Sequence, residues 1–218
     1  KDTQGGRFSG GGGTQEQGFG EVRYGGKIRD NLTYRVYAKA FKLDEQFAIA
    51  GGPHDGWWNA SVGARLDWQA SKEDAVTLQG DYLHSDAGRK DFRAQTTAPF
   101  SFLNVEDENN NACNILGRWT HELGEESSFS LKAYWDHFKR DADGVKAQVR
   151  WDTFDLDFQH NLALGERQKI VYGVGVRFLE ARLQGSGEDN GFALNLDPKH
   201  RSKQLFSAFF QDEITMLK

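Results

Sequence analysis

The chain has 218 residues, enough for one or two ordinary domains, and carries a formal net charge of -5 with 27% charged but only 38% apolar residues. Charges of both signs are mixed along it, so it has no basic nucleic-acid footprint, and its single cysteine, Cys113, excludes an internal disulfide and a thiolate metal cluster. No run reaches the about 18 apolar residues of a membrane-crossing helix, while 16 Phe, 6 Trp and 6 Tyr placed periodically argue against disorder.

In chain order, the pattern predicts ten strands. A glycine-heavy first strand covers 3–13 and turns at Thr14-Gln15-Glu16 into a second over 17–27. A tight turn at Arg29-Asp30-Asn31 leads to 32–43, where Tyr34, Val36, Ala38 and Ala40 alternate with Thr33, Arg35, Tyr37 and Lys39. The connection 44–57 contains Gly51-Gly52-Pro53-His54-Asp55-Gly56, a loop signal. Strands four and five are expected over 58–70 and 74–85, joined by the short turn Ser71-Lys72-Glu73. A long polar loop is expected from Asp86 to Asn110, then strand six over 111–122 with Cys113 near its mouth. The short turn Gly124-Glu125-Glu126 opens strand seven at Ser127. A medium loop at 141–146 opens strand eight, and the short turn Leu164-Gly165-Glu166 opens strand nine. A long loop from Gln184 to Arg201 precedes strand ten, where Phe206, Ala208 and Phe210 face away from Leu205, Phe209 and Gln211.

Strands seven to nine show the alternation at its clearest. Phe129, Leu131, Ala133 and Trp135, then Phe154, Leu156 and Phe158, then Ile170, Tyr172, Val174, Val176 and Phe178 each fall on one face. The other face is wet, with Arg65, Asp67, Arg118, Lys132, Asp155, Asp157 and Arg177 on successive strands. From the third strand on, long and short connections alternate, and Tyr24, Tyr34, Trp68, Trp119, Phe129 and Phe158 sit beside short turns, where an interfacial girdle belongs. Strands of about 10–12 residues suit a tilted bilayer crossing better than a soluble sandwich, whose strands average about 5–6. The fold class expected is therefore all-β: an antiparallel transmembrane β-barrel of outer-membrane type, with the apolar face outward and the charged residues in the lumen. A soluble β-sandwich binding module is the alternative.

Chemistry-bearing motifs are weak. Asp155 and Asp157 share a face but read as lumen carboxylates near neighbouring Arg or Lys rather than a catalytic pair. His121-Glu122 lacks a second histidine, and Gly10 to Gly13 lacks the Lys-Ser/Thr of a phosphate loop. The acidic-amide run from Glu106 to Asn111 lacks calcium-loop spacing. No catalytic residue, metal site or cofactor is expected.

Gly18-Phe19-Gly20-Glu21-Val22-Arg23-Tyr24-Gly25-Gly26-Lys27, Tyr34-Arg35-Val36-Tyr37-Ala38-Lys39, Arg65-Leu66-Asp67-Trp68, Leu78-Gln79-Gly80-Asp81, Asn114-Ile115-Leu116-Gly117-Arg118-Trp119 and Phe210-Gln211-Asp212-Glu213 resemble barrel strands of TonB-dependent outer-membrane receptors. The resemblance covers nearly the whole chain and marks strands rather than cargo. It implies a 22-stranded barrel filled by an N-terminal plug. It also implies uptake of an iron-siderophore, cobalamin or other metal chelate across the outer membrane of a Gram-negative-type bacterium, driven through the TonB complex. The opening Lys1-Asp2-Thr3-Gln4-Gly5-Gly6 looks like the joint after a plug, and Met216-Leu217-Lys218 lacks the terminal aromatic of finished barrels. Residues 1–218 thus read as one partial barrel domain, the first part of a receptor, whose partners would be outer-membrane lipid, the small chelate and, through the plug, TonB. Loop residues His54, Trp57, Trp58, Phe92 and Arg93 are expected to form an aromatic and cationic mouth for an anionic chelate. Trp57 and Trp58 have the alternative of an outer girdle. The rival function is a ten-stranded outer-membrane protease-like enzyme, which needs an acidic-His cluster around His54 or His200.

Overall fold

The computed structural model describes residues 3–46, 52–142, 147–165, 167–185, 187–189, 192–194 and 197–216. The strands are β1 (Gly5–Gly11), β2 (Glu16–Arg29), β3 (Leu32–Leu43), β4 (Trp57–Gln69), β5 (Asp74–Ala94), β6 (Ser101–Gly124), β7 (Ser127–Ala142), β8 (Ala147–Leu164), β9 (Gln168–Gly185), β10 (Gly187–Asp189), β11 (Phe192–Leu194) and β12 (His200–Ile214). Ten of them form one sheet in the order β1-β2-β3-β4-β5-β6-β7-β8-β9-β12, and β10 pairs with β11 in a small separate hairpin. Every pairing in the large sheet is antiparallel. β1 and β12 each have a single neighbour, so the sheet is open at both edges. The sandwich alternative is corrected here: among the described residues no second large sheet packs on the first to make a sandwich core.

Directly opposed residues share a face, so the register decides whether the alternation of single strands becomes a property of the sheet. It does. Val22 lies opposite Ala38, Ala38 opposite Val62 and Val62 opposite Tyr82. Gly117 lies opposite Ala133, Ala133 opposite Leu156, Leu156 opposite Val176 and Val176 opposite Phe206. The apolar face is therefore continuous across all ten strands. Among the described residues no large side chain is fully buried, and Val62, Leu78, Ile115, Trp135, Phe154, Val174 and Phe210 are all exposed. The buried polar residues Asn59, Ser85, Asn104, Glu106 and Asp155 all lie on the opposite face. A water-soluble sheet hides its apolar side; this one crowds its charged side and displays the apolar one, the arrangement of a barrel wall curved around a polar interior.

The short turns fall at one end of the sheet, at residues 30–31, 70–73 and 125–126, with Gly165 and Arg167 at the same end between β8 and β9. At that end Trp119, Phe129 and Phe158 form a chain of ring contacts with centroids 5.1 and 5.9 Å apart, and Tyr24 meets Tyr34 at 6.2 Å. The turn between β4 and β5 is tied by Ser71, whose Oγ accepts from the backbone N–H of Glu73 and Asp74. Asp74, beyond the apolar band, has its carboxyl held down at about 2 by hydrogen bonds from His121, Ser71 and Trp119.

Three expectations about connections are corrected. The loop expected from Asp86 to Asn110 is mostly strand: β5 runs to Ala94 and β6 starts at Ser101, leaving only residues 95–100 as a turn. Cross-strand polar pairs hold this extension where the hydrophobic alternation has stopped, with Asn109 donating to Asp86 at 2.6 Å and Asn104 to Asp91 at 3.2 Å. Cys113 consequently sits mid-strand rather than at a mouth, half-buried opposite Tyr82 and His137. The loop expected from Gln184 to Arg201 contains β10 and β11. At the start of the chain, the first strand is shorter than 3–13, because the ladder with β2 spans only Gly5 to Gly11. Most of the 141–146 loop lies outside the described residues.

If the apolar face meets lipid, Val174→Arg should cost the protein in lipid vesicles about 2–4 kcal/mol of unfolding free energy. Ser130→Lys, on the charged face, should cost less than about 1 kcal/mol, both read by denaturant titration from the bilayer. Asp74 should titrate by NMR near pH 2 rather than at the ordinary ~3.9. Because its folded value is lowered, the stability it lends the turn is present above about pH 4 and is lost as pH falls through about 2. His121→Ala should bring the titration back up.

Candidate functional site

The charged face is a network of ion pairs built from strand pairing. Arg65 clamps Asp67 two residues along β4 with bonds of 2.9 and 2.8 Å, and Thr77 donates to the same carboxylate at 2.8 Å. Tyr37 donates to Asp81 at 2.6 Å. Lys132 meets Asp157 at 2.5 Å, and Arg177 donates to Asp155 at 2.7 Å. Asp155 and Asp157 therefore each face a cation of their own, a structural balance rather than two acids sharing a proton. Arg118 stands opposite Lys132, exposed, and both border a concavity of about 520 Å3 with Asp157, Gln159, Ser207 and Phe209. All seven residues read from sequence as lumen-facing share this face.

Near the long-loop end, strand parity splits the five residues expected at the mouth. Trp57 and Arg93 lie on the charged face, whereas Trp58 and Phe92 lie on the other. All four are on strands rather than in loops, because β4 starts at Trp57 and β5 continues past Arg93. Trp58 packs edge-on against His84 with ring centroids 5.1 Å apart, in the position of an outward girdle residue. Phe92 is 78% exposed on the extended hairpin. His54 reaches Asp107 at 3.0 Å, also on the outward side of that hairpin. Arg93 donates to Glu106 at 2.6 Å, with the Glu106 side chain buried and that of Arg93 half-buried. Its charge is balanced within the hairpin.

What the sequence reading missed lies around Trp57. Phe41 on β3 meets its ring edge-on at 4.8 Å, and Phe19 on β2 stands directly opposite Phe41. With Glu16, Glu21, Lys39 and Leu43 they line a concavity of about 480 Å3 on the charged face. That volume and its mix of rings with a few charges suit a small ligand. The signal was present as three aromatics at polar-parity positions of consecutive strands, but it needs the register to be seen.

His54 and His200, the histidines of the enzyme alternative, are held by different acids on different strand pairs: Asp107 on β6 and Glu180 on β9. Among the described residues no group of three or more His, Cys, Asp or Glu is placed to hold a metal ion.

No protein-family model and no curated protein sequence matches the chain. Solved structures do. A siderophore receptor, PirA from Pseudomonas aeruginosa, is similar over 100% of this chain and 32% of its own, at 14% identity and a TM-score of 0.65. The copper transporter OprC is similar over 97% of this chain and 38% of its own, at 15% identity and a TM-score of 0.64. The outer-membrane transporter YddB from Escherichia coli follows at 12% identity, with 95% of this chain, 32% of its own and a TM-score of 0.63. The chain thus spans about a third of the length of the structures it matches, and the likeness fixes its fold as part of an outer-membrane β-barrel wall.

Arg93→Met should leave the Glu106 carboxylate buried without its main counter-charge and destabilise the β5–β6 extension by about 3 kcal/mol. Hydrogen exchange of the 86–110 amides measures it, and the double variant with Glu106→Gln should recover most of the loss.

Proposed function

We propose that this chain is a segment of a non-enzymatic outer-membrane receptor of a Gram-negative-type bacterium, importing a scarce small ligand such as an iron-siderophore or other metal chelate by TonB-coupled transport. One observation carries the reading: the sheet is inside-out, with exposed apolar residues on one face and paired charges on the other, in a wall similar to those of two named transporters and a siderophore receptor. In this reading residues 1–218 are one part of the barrel domain, its apolar face meets outer-membrane lipid, and coupling to TonB passes through a plug domain inside the barrel.

Within this proposal the ligand meets the charged face near Trp57, Phe41 and Phe19, with Lys39 as the local cation. Trp57 supplies a ring face and Lys39 a cation, while Glu16 and Glu21 on the same recess add carboxylates, so the recess suits a metal chelate of mixed charge. Arg93, Trp58, Phe92 and His54 support the walls of this region: Arg93 balances Glu106, Trp58 anchors the outer rim, and Phe92 and His54 belong to the outward side of the hairpin.

Uptake of a radiolabelled ferric chelate by cells carrying the full-length protein tests the reading. Transport should stop when the proton-motive force is collapsed, and Trp57→Ala should raise the half-saturating concentration by about tenfold, the usual effect of removing an aromatic anchor. Uptake indifferent to the uncoupler would contradict the coupling. A Trp57→Ala variant transporting normally would remove the site.

A further inference from the structure

On β7, β8 and β9 the apolar face ends in an aromatic row, with Trp135 opposite Phe154 and Phe154 opposite Phe178. Two residues nearer the long-loop end, the same face carries His137, Asp152 and Glu180 in register. Two residues further on comes a row of basic residues: Lys139 opposite Arg150, Arg150 opposite Arg182, and Arg182 opposite His200. Four residues of strand cover ~13 Å, or about 10 Å along the membrane normal at a strand tilt of ~40°. The row therefore stands just outside the hydrocarbon, at the depth of polar headgroups.

Like charges directly opposite one another destabilise a sheet, so a row of this kind needs counter-charge. The flanking members have it. Lys139 meets Asp141 at 2.6 Å, Arg182 meets Glu180 at 2.6 Å, and His200 reaches the same Glu180 oxygen at 2.9 Å. Asp152, on the same face, is taken by His137 at 2.7 Å. Arg150, between two cations, makes no hydrogen bond or ion pair among the described residues, and its Nε has no partner; the Asp141 carboxylate, bound to Lys139, acts on it only at longer range.

We infer that Arg150, flanked by Lys139 and Arg182, holds the phosphate of a membrane-lipid headgroup against the outward face of the wall. A guanidinium offers the fork that matches phosphate oxygens, and the adjoining aromatic row offers a surface for the start of the lipid's acyl chains. The inference rests on the reading that the apolar face meets lipid.

Native mass spectrometry of the full-length protein released from nanodiscs tests it. The nanodiscs contain phosphatidylcholine with a minor share of phosphatidic acid. Wild type should retain phosphatidic acid in preference to phosphatidylcholine, and Arg150→Gln should weaken that preference by about fivefold, as expected for one cation at a charged headgroup. The pair Arg150→Gln and Arg182→Gln should weaken it on the order of twentyfold. Arg118→Gln, on the charged face, should leave it unchanged, and added inorganic phosphate should not displace the lipid. Equal retention in wild type and the double variant overturns the inference, as does an equal loss in Arg118→Gln or displacement by free phosphate. If the protein fails to enter nanodiscs at all, the lipid-facing reading itself fails; entry without headgroup preference overturns this inference alone.

Discussion

The ladder of antiparallel hydrogen bonds, kept in register from β1 through β12, is the constraint on which the rest depends. A slip of one residue at any pairing would turn one strand's apolar set onto the charged face. Because the register holds, the alternations of ten strands merge into two continuous surfaces. Ion pairs such as Lys132–Asp157 and Arg177–Asp155 then form between neighbouring strands on the charged side, where both partners are needed to keep charge tolerable in a crowded interior. The same pairing satisfies the backbone internally, which any structure crossing hydrocarbon requires. At β1 and β12 that satisfaction stops, and β12, exposed along both faces, presents the row of unpaired groups that a further strand would cover.

Most of the wall was legible because its physics is periodic. Leu131, Leu156 and Val174 announce a face by spacing alone, and Ser71-Lys72-Glu73 or Gly124-Glu125-Glu126 announce turns by composition. The β5–β6 extension was illegible for the opposite reason. Arg89, Asp91, Arg93, Asn104, Glu106 and Glu108 make one of its sides polar, His84, Asp86, Asp107 and Asn109 make much of the other polar, and no apolar period marks it as strand. Its cohesion comes from cross-strand pairs, which exist only once the partner strand is known. Trp57 and Trp58 show the same limit on a smaller scale: adjacent in sequence, they point to opposite sides of the wall, so one joins Phe41 and Phe19 while the other joins His84.

The proposed function rests on the two surfaces. Several charges on the polar side form balanced pairs, such as Lys132–Asp157 and Arg177–Asp155, and the aromatic recess at Phe19, Phe41 and Trp57 interrupts them near the long-loop end. Outward, the apolar band passes through an aromatic row to mixed charge, the sequence of environments met on leaving a bilayer. Both features belong to an outer-membrane barrel wall, and neither requires the sequence identity that separates this chain from the structures it resembles.

The most direct test of the inversion uses spin labels at Val174 and Lys132, introduced singly into the full-length protein after Cys113→Ser. In lipid vesicles, the label at 174 should relax strongly with dissolved oxygen and weakly with an aqueous nickel chelate, and the label at 132 should do the reverse. A label at 174 shielded from oxygen while 132 faces lipid would contradict the account.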